Sequence, residues 1–394
     1  MNRARGASLL AVFLAVAVQG PAIRVAAAAQ RSEGQGRGEI QWPGPGLPDL
    51  QAAIDLAPDG GIIRIQEGVY EIGRPLFVRG KRLTLIGAGN GLRNKRATQL
   101  VGRPPQPVVD ERGAIILPAD SVQGLWNFVG ATVMVQDMRL SGFDAAIVTK
   151  ADEARHAGPT TVDNVVIADT GRGILSLSPA TLRVTNSTIM ETRWNAIAAA
   201  PKFVTAALLG SLVATGDWIV HPFGAGIYFE HAGVDISNVD IVGAKAGGIV
   251  GFSSFSSIAN STLAGNEEGG VVLETGLSTI TGNHIMFTAP LPGGVLGDGI
   301  ILAAIDAQHQ MFATVSKNFI TISARAGLSS FGADVSINNN QIMCSTFDLD
   351  GEQQNGANYS FHDDGGNQCG CGIMGLCQAQ SGMLQAPSQV GGLQ

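Results

Sequence analysis

Residues 47–89 read L-P-D-L-Q-A-A-I-D-L-A-P-D-G-G, then I-I-R-I-Q-E-G-V-Y-E-I, then G-R-P-L-F-V-R-G-K-R-L-T-L-I-G-A-G. Asp49 is suited to N-cap a short helix whose apolar side is Leu50, Ala53, Ile54 and either Leu56 or Ala57. Pro58 and the Gly60-Gly61 pair stop it. Ile63 and Ile65, Val69 and Ile72, and Leu83 and Leu85 then alternate with polar residues in strands a few residues long. One amphipathic helix before many short strands is the pattern of a lid on a solenoid. An open solenoid end would expose both a core and unpaired strand edges.

From about Ala131 a pattern recurs: apolar, any, Asn, any, any, apolar. It stands at Val162/Asn164/Ile167, Val184/Asn186/Ile189, Ile236/Asn238/Ile241, Ile258/Asn260/Leu263 and Ile337/Asn339/Ile342. Asp137 and Ala206 fill the slot in two further copies, and Asn283 and Asn318 follow one extra residue. The spacing clusters near 22 residues, which is the length of a coil rather than of a domain. Asn tolerates left-handed backbone, and stacked Asn side chains bond from turn to turn, so these residues read as structural.

The capping stretch resembles the start of the right-handed parallel β-helix proteins of the pectate-lyase (pectin-lyase-like) superfamily. The resemblance implies an all-β chain: one single-stranded right-handed parallel β-helix over residues 47–345, with a short N-terminal capping helix. After each slot a small residue precedes an apolar one, as in Gly173-Ile174, Ala196-Ile197, Gly226-Ile227, Gly248-Ile249, Gly270-Val271, Gly299-Ile300 and Gly327-Leu328. In the polygalacturonases of this superfamily, the strand with that step floors the substrate cleft. Taken over, the assignment turns Ile227, Phe229, Ile249, Val271 and Leu273 inward by alternation. Tyr228, Glu230, Phe252 and Glu274 then face out. The outward ladder of Val148, Leu175, Ala198, Tyr228, Val250, Val272 and Ile301 is apolar, as expected of a covered face or a partner site. Residues 214–223 and 288–297 read as insertions that wall the coils opened by Gly248 and Gly270.

Fifty-three glycines and 14% charged residues suit a turn-rich β protein, and a net charge of −7 argues against a nucleic-acid partner. Residues 1–29 carry Arg3 and Arg5, an apolar run from Leu9 to Val18 and Ala27-Ala28-Ala29, the layout of a secretory signal cleaved before Gln30. The apolar run is too short to span a bilayer. A secreted, periplasmic or cell-surface location follows, with no membrane span in the mature chain and a monomeric state. Residues 30–46 read as a flexible leader, and 346–394 as a cysteine-stapled cap with a disordered tail. Cys344, Cys369, Cys371 and Cys377 suggest two disulfides in an exported chain, in one of three pairings. A four-cysteine zinc site is the alternative, although Cys369-Gly370-Cys371 lacks the C-x2-C bite. No other metal and no cofactor is called for.

The superfamily's strong catalytic signatures, N-T-D, D-D, G-H-G, R-I-K and D-P-H-D, are absent from the coils, as is a dense Asp cluster for calcium. Fold membership therefore leaves activity open. What remains is a constellation by position. Glu230 and Glu274 occupy equivalent outward places two coils apart, a spacing suited to an acid and a base. Trp218, His221, Tyr228, His231, Phe252, Glu268 and Asp298 are the candidate substrate contacts, with Trp218 and Tyr228 as stacking faces for a sugar. The plainer alternative is that the two glutamates are solvated strand-end residues and the histidines belong to turns. Two functions follow: an exported protein that binds, and cleaves or epimerises, an extended polysaccharide; or a non-catalytic scaffold or adhesin meeting a protein partner through the apolar sheet face.

Overall fold

The computed structural model describes residues 38–92, 96–102, 131–151, 158–201, 210–291, 294 and 296–387, with the backbone of 108–109, 115–116 and 125–127. The expected signal segment lies outside the described residues. These residues all belong to one compact unit, Arg37–Gln394. Among them no helix is long and apolar enough to cross a membrane.

Each coil contributes three strands, and equivalent strands of successive coils pair in parallel to build three long faces. In one coil these are Ala232–Ser237 on the first face, Asp240–Val242 on the second and Ile249–Gly251 leading the third. Among the described residues the second face alone holds twelve strands, from Gly68–Ile72 to Gln368–Gly370. This is the right-handed parallel β-helix that the resemblance implied, built on the solenoid coil that the repeat implied.

The corners explain the repeat. Asp137, Asn164, Asn186, Gly216, Asn238, Asn260, Gly282, Lys317 and Asn339 turn the chain from first to second face with φ between 51° and 68°. Asn and Gly reach that left-handed region at least strain, so they alternate in the slot. The extra residue before Asn283 and Asn318 now has a meaning. Gly282 and Lys317 make those corners, while Asn283 and Asn318 turn inward with Asn340 and Asn367 as a buried amide ladder. Gly216, rather than Ala206, fills the slot of its coil, and Ala206 lies outside the described residues. Residues 214–223 are therefore not an insertion. They finish the first-face strand Gly210–Thr215, turn at Gly216 and run into the second-face strand Trp218–Val220.

The small residue before each third-face strand has a steric cause. A Cβ at Gly226 would lie 2.5 Å from Ile241 Cγ2, at Gly270 2.4 Å from Ile285 Cγ2, and at Gly327 2.2 Å from Ile342 Cγ2. The inward isoleucine of the second face fills the space a side chain would need. The apolar partners of these steps form one in-register column, Ile174, Ile197, Ile227, Ile249, Val271, Ile300 and Leu328, all fully buried.

At the N-terminal end, helix Leu50–Leu56 closes the solenoid with Leu50, Ala53 and Ile54 buried. Asp49 caps it by accepting the Ala52 N–H at 2.8 Å. Ala57, not the exposed Leu56, completes the apolar side. Val69 faces solvent because the phase of its strand buries Ile72 and half-buries Tyr70. The expected leader ends earlier than residue 46. Glu39–Trp42 is a strand paired to Gly61–Ile65, because that edge would otherwise be open and Trp42 has a core to enter.

The solenoid also runs past residue 345. Phe347–Glu352, Ser360–Asp363 and Gln368–Gly370 add another rung to all three faces. Its corner is Gly366 and its ladder residue Asn367, a variant of the slot that carries no apolar residue two places earlier. Cys344–Cys371 and Cys369–Cys377 are disulfide-bonded, which fixes one pairing of the three and leaves no thiolate for zinc. The tail, expected to be disordered, is laid on the third face through Pro387: Ala379–Gln380 pairs with Phe347–Glu352.

Candidate functional site

The outward ladder of the third face is where it was expected, and it is covered. Ala198, Tyr228, Val250, Val272 and Ile301 are at most 3% exposed and form a second apolar cluster, distinct from the solenoid core. Leu291 and Leu296 of the 288–297 insertion and Leu384 and Ala386 of the tail pack against this cluster. This corrects two expectations. The ring of Tyr228 is an internal packing surface and offers no stacking face. The apolar sheet face is occupied by the chain itself and is not open to a protein partner.

Trp218 is half-exposed, but on the second face, in register with Thr188 and Asp240. It cannot share a cleft with third-face residues. Its neighbour Asp217 turns inward instead, 2% exposed, with Oδ1 accepting the Ser187 N–H at 2.8 Å and Oδ2 unpartnered. Burial raises its pKa to about 7 against the bonds from Ser187 and Thr215. His221 forms the corner between second and third faces at φ 48°, with Nδ1 3.1 Å from Glu191 Oε1 on the surface. His231 forms the next corner at φ 49° and is exposed. Both histidines are turn residues.

Asp298 and Glu268 lie at the beginning of third-face strands, away from the glutamate pair at the other end. Asp298 is fully buried and fully engaged. It takes Arg325 Nε at 2.8 Å and Nη2 at 2.5 Å, the Ala326 N–H at 2.9 Å and Ser329 Oγ at 3.0 Å. A carboxylate saturated in this way holds coils together, so it is corrected from substrate contact to structural clamp. Glu268 sits at φ 63° with its carbonyl accepting the Gly297 N–H at 2.7 Å, and its Oε2 is buried without a partner. Burial, then Glu267, holds its carboxyl above the usual range.

The remaining candidates converge. Glu230, Phe252 and Glu274 form one in-register column at the ends of three successive strands, continued by Ala303, Phe331 and Glu352. Tyr228 donates its hydroxyl to Glu230 Oε1, and its ring lies 5.7 Å from that of Phe252. Desolvation first, then Glu230 and Glu274, push the Tyr228 phenol far up, so it remains a donor. Glu274 is 4% exposed, its Oε1 has no partner, and burial raises its pKa to about 7. Two carboxyls flank one aromatic ring in unlike surroundings: one is tethered by a phenol, the other is desolvated. Such a pair can divide the roles of acid and base. Among the described residues no group of three or more His, Cys, Asp or Glu is placed to hold a metal ion.

Two features were not legible in the sequence: the Asp298–Arg325 clamp and the buried Asp350. The latter is raised to about 6, by burial first, and its Oδ2 is unpartnered. Only the in-register pairing across rungs shows either.

No protein-family profile matches the sequence, and no curated protein matches it. Solved structures match by fold. The catalytic domain of a GH87 α-1,3-glucanase in complex with nigerose matches at 12% identity and TM-score 0.55, over 84% of this chain and 69% of that one. Its D1069A variant with nigerose matches at 12% identity and TM-score 0.54, over 84% and 68%. A mannuronan C-5 epimerase A-module from Azotobacter vinelandii matches at 17% identity and TM-score 0.48, over 82% and 92%. These likenesses are of fold: the architecture of this chain is a right-handed parallel β-helix, as in the glucanase catalytic domain.

Proposed function

We propose that this protein is an exported carbohydrate-acting β-helix whose working groups are Glu230 and Glu274, set on either side of Phe252. The observation that carries the reading is the inequality of the pair. Glu274 is desolvated and keeps its proton near neutrality, while Glu230 is tethered by the Tyr228 hydroxyl. The two strands are two rungs apart, so their backbones are separated by roughly 10 Å. Flexible side chains can narrow that to the ~6.5–9.5 Å that leaves room for a water in inverting glycoside cleavage. Glu274 then protonates the glycosidic oxygen as the bond to the anomeric carbon breaks. A water attacks that carbon from the opposite face and gives its proton to Glu230. The shared fold with a glucanase catalytic domain is in keeping with a sugar ligand, and the two disulfides with an oxidising compartment.

The test is calorimetric titration with α-1,3-linked glucose oligosaccharides and with mannuronan oligomers, followed by product analysis. Glu274→Gln should abolish turnover and leave affinity within about twofold. Binding of neither glycan, or unchanged turnover in both Glu→Gln variants, sinks the reading. N-terminal sequencing of secreted material should begin at Gln30.

A further inference from the structure

The third face does not end at Glu274. Its two outward columns continue upward, Tyr228, Val250, Val272, Ile301, Ser329 and Asp350 in one, and Glu230 through Glu352 in the other. The chain's own tail is seated on the upper end of both columns. Gly382 donates its N–H to Asp350 Oδ1 at 2.8 Å. Ser381 Oγ donates to Glu352 Oε1 and Oε2 at 2.9 and 3.1 Å, and the Leu384 N–H to Glu352 Oε1 at 3.1 Å. Arg325, already clamped to Asp298, donates Nη1 to the Gln385 carbonyl at 3.0 Å. A Cβ at Gly382 would stand 2.9 Å from the Phe347 ring, so only glycine lets the tail lie this close.

The grip is polar. Leu384 and Ala386 are only partly buried against the apolar cluster, and Met383 projects 89% exposed. A segment with so little apolar burial opens locally at far less than the free energy of global unfolding. Its donors, two N–H groups and one hydroxyl, occupy carboxyl oxygens that a sugar's hydroxyls would use as acceptors.

The geometry points to residues 379–387 as a displaceable strap, an internal occupant of the upper end of the same two columns, which is seated at acid pH and released as pH rises. As an obstacle to glycan it rests on the carbohydrate reading above; as a moving segment it does not.

The linkage has a definite sign. The strap itself carries no titratable side chain. The charged groups facing it are Asp350, Glu352, Asp298 and Arg325, with Asp348 on the same strand as Asp350. Asp350 is fully buried beneath it, and burial, assisted by Glu352 and Asp298 and opposed by Gly382 and Arg325, lifts its pKa to about 6. Opening hydrates that carboxyl and lowers its pKa, so the closed form holds its proton more tightly. Closure is therefore strongest below the open-state value and weakens as pH rises through about 6.

Hydrogen exchange of the full chain, read by mass spectrometry on the peptide spanning 379–387 and corrected for intrinsic rates, tests this at pH 5 and pH 8. Protection should fall about tenfold between them, one pKa unit of linkage. Asp350→Asn, which keeps an acceptor and removes the charge, should flatten the dependence. Gly382→Val should leave the segment unprotected at both pH values, with the Phe347–Glu352 strand still protected. Equal protection at both pH values in the wild type, or exchange only with global unfolding, overturns the strap. Titration of Gly382→Val with the α-1,3-linked glucose tetrasaccharide should show affinity raised at least about fivefold. Strap release without glycan binding in any variant would overturn the carbohydrate reading and leave the strap standing.

Discussion

Asn318 donates Nδ2 to Asn340 Oδ1 at 3.0 Å and to the Ile280 carbonyl at 2.9 Å, while its own Oδ1 accepts Asn283 Nδ2 at 3.0 Å. Four buried amides, Asn283, Asn318, Asn340 and Asn367, are chained in this way along the solenoid axis. Asn318→Ala leaves at least two buried groups without partners and should lower unfolding stability by about 3 kcal/mol in urea titration. Asn238→Gly, at an exposed corner where glycine is used in neighbouring coils, should change it by only a few tenths of a kcal/mol. Equal effects would remove the distinction between ladder and corner.

Asp217 holds the ladder position in its own coil but is an acid. Its folded pKa, about 7, lies above the unfolded value, so the folded state binds the extra proton between them. Stability from this group is therefore full at acid pH and is lost as pH rises through about 7. Asp217→Asn should raise the thermal midpoint at pH 8, by the equivalent of about 1–3 kcal/mol, and leave it nearly unchanged at pH 4. A variant less stable at pH 8 would contradict the assignment.

The Cys344–Cys371 bridge closes the last full coil onto the cap, with a sequence separation of 27. Replacing both residues with Ser should lower stability by about 3 kcal/mol. Denatured, unreduced wild type should titrate no thiol, and peptide mapping should recover Cys344 with Cys371 and Cys369 with Cys377. Any other linkage would displace the cap drawn above.

Gly270→Ala drives a methyl group against Ile285 and should cost about 1–3 kcal/mol through overpacking. Gly294→Ala, whose Cβ would meet nothing within 4 Å but whose φ is 77°, should cost about 1 kcal/mol through backbone strain. Thermal melts of the pair separate crowding from conformation.

The proposed acid, Glu274, titrates near 7 in its buried place. Turnover should therefore have an alkaline limb close to pH 7, moved or removed in Glu274→Gln. Glu230→Gln should abolish turnover at every pH while leaving affinity within about twofold. A profile flat from pH 5 to 9 would assign the chemistry elsewhere.

The sequence alone determined the period, the faces and the cap, because each is a local demand. An Asn or Gly is favoured at the left-handed corner between first and second faces, an apolar residue at every second place of a strand, and a polar N-cap before an apolar helix face. It placed Glu230, Phe252 and Glu274 in one column, since a coil of near-constant length makes register a matter of counting. It misplaced Trp218, by reading the coil at 214–223 as a loop when Gly216 stood where Asn was sought. What the tail and the 288–297 insertion cover could not be counted. Leu384 reaches a cluster whose buried members lie 53 or more residues earlier, and only the folded chain brings them together. Burial then decided the chemistry: the same carboxyl group is a saturated clamp at Asp298, an unpartnered acid at Glu274 and a grip on the tail at Glu352. Desolvation and hydrogen bonding, which set those roles, belong to the surroundings and not to the residue.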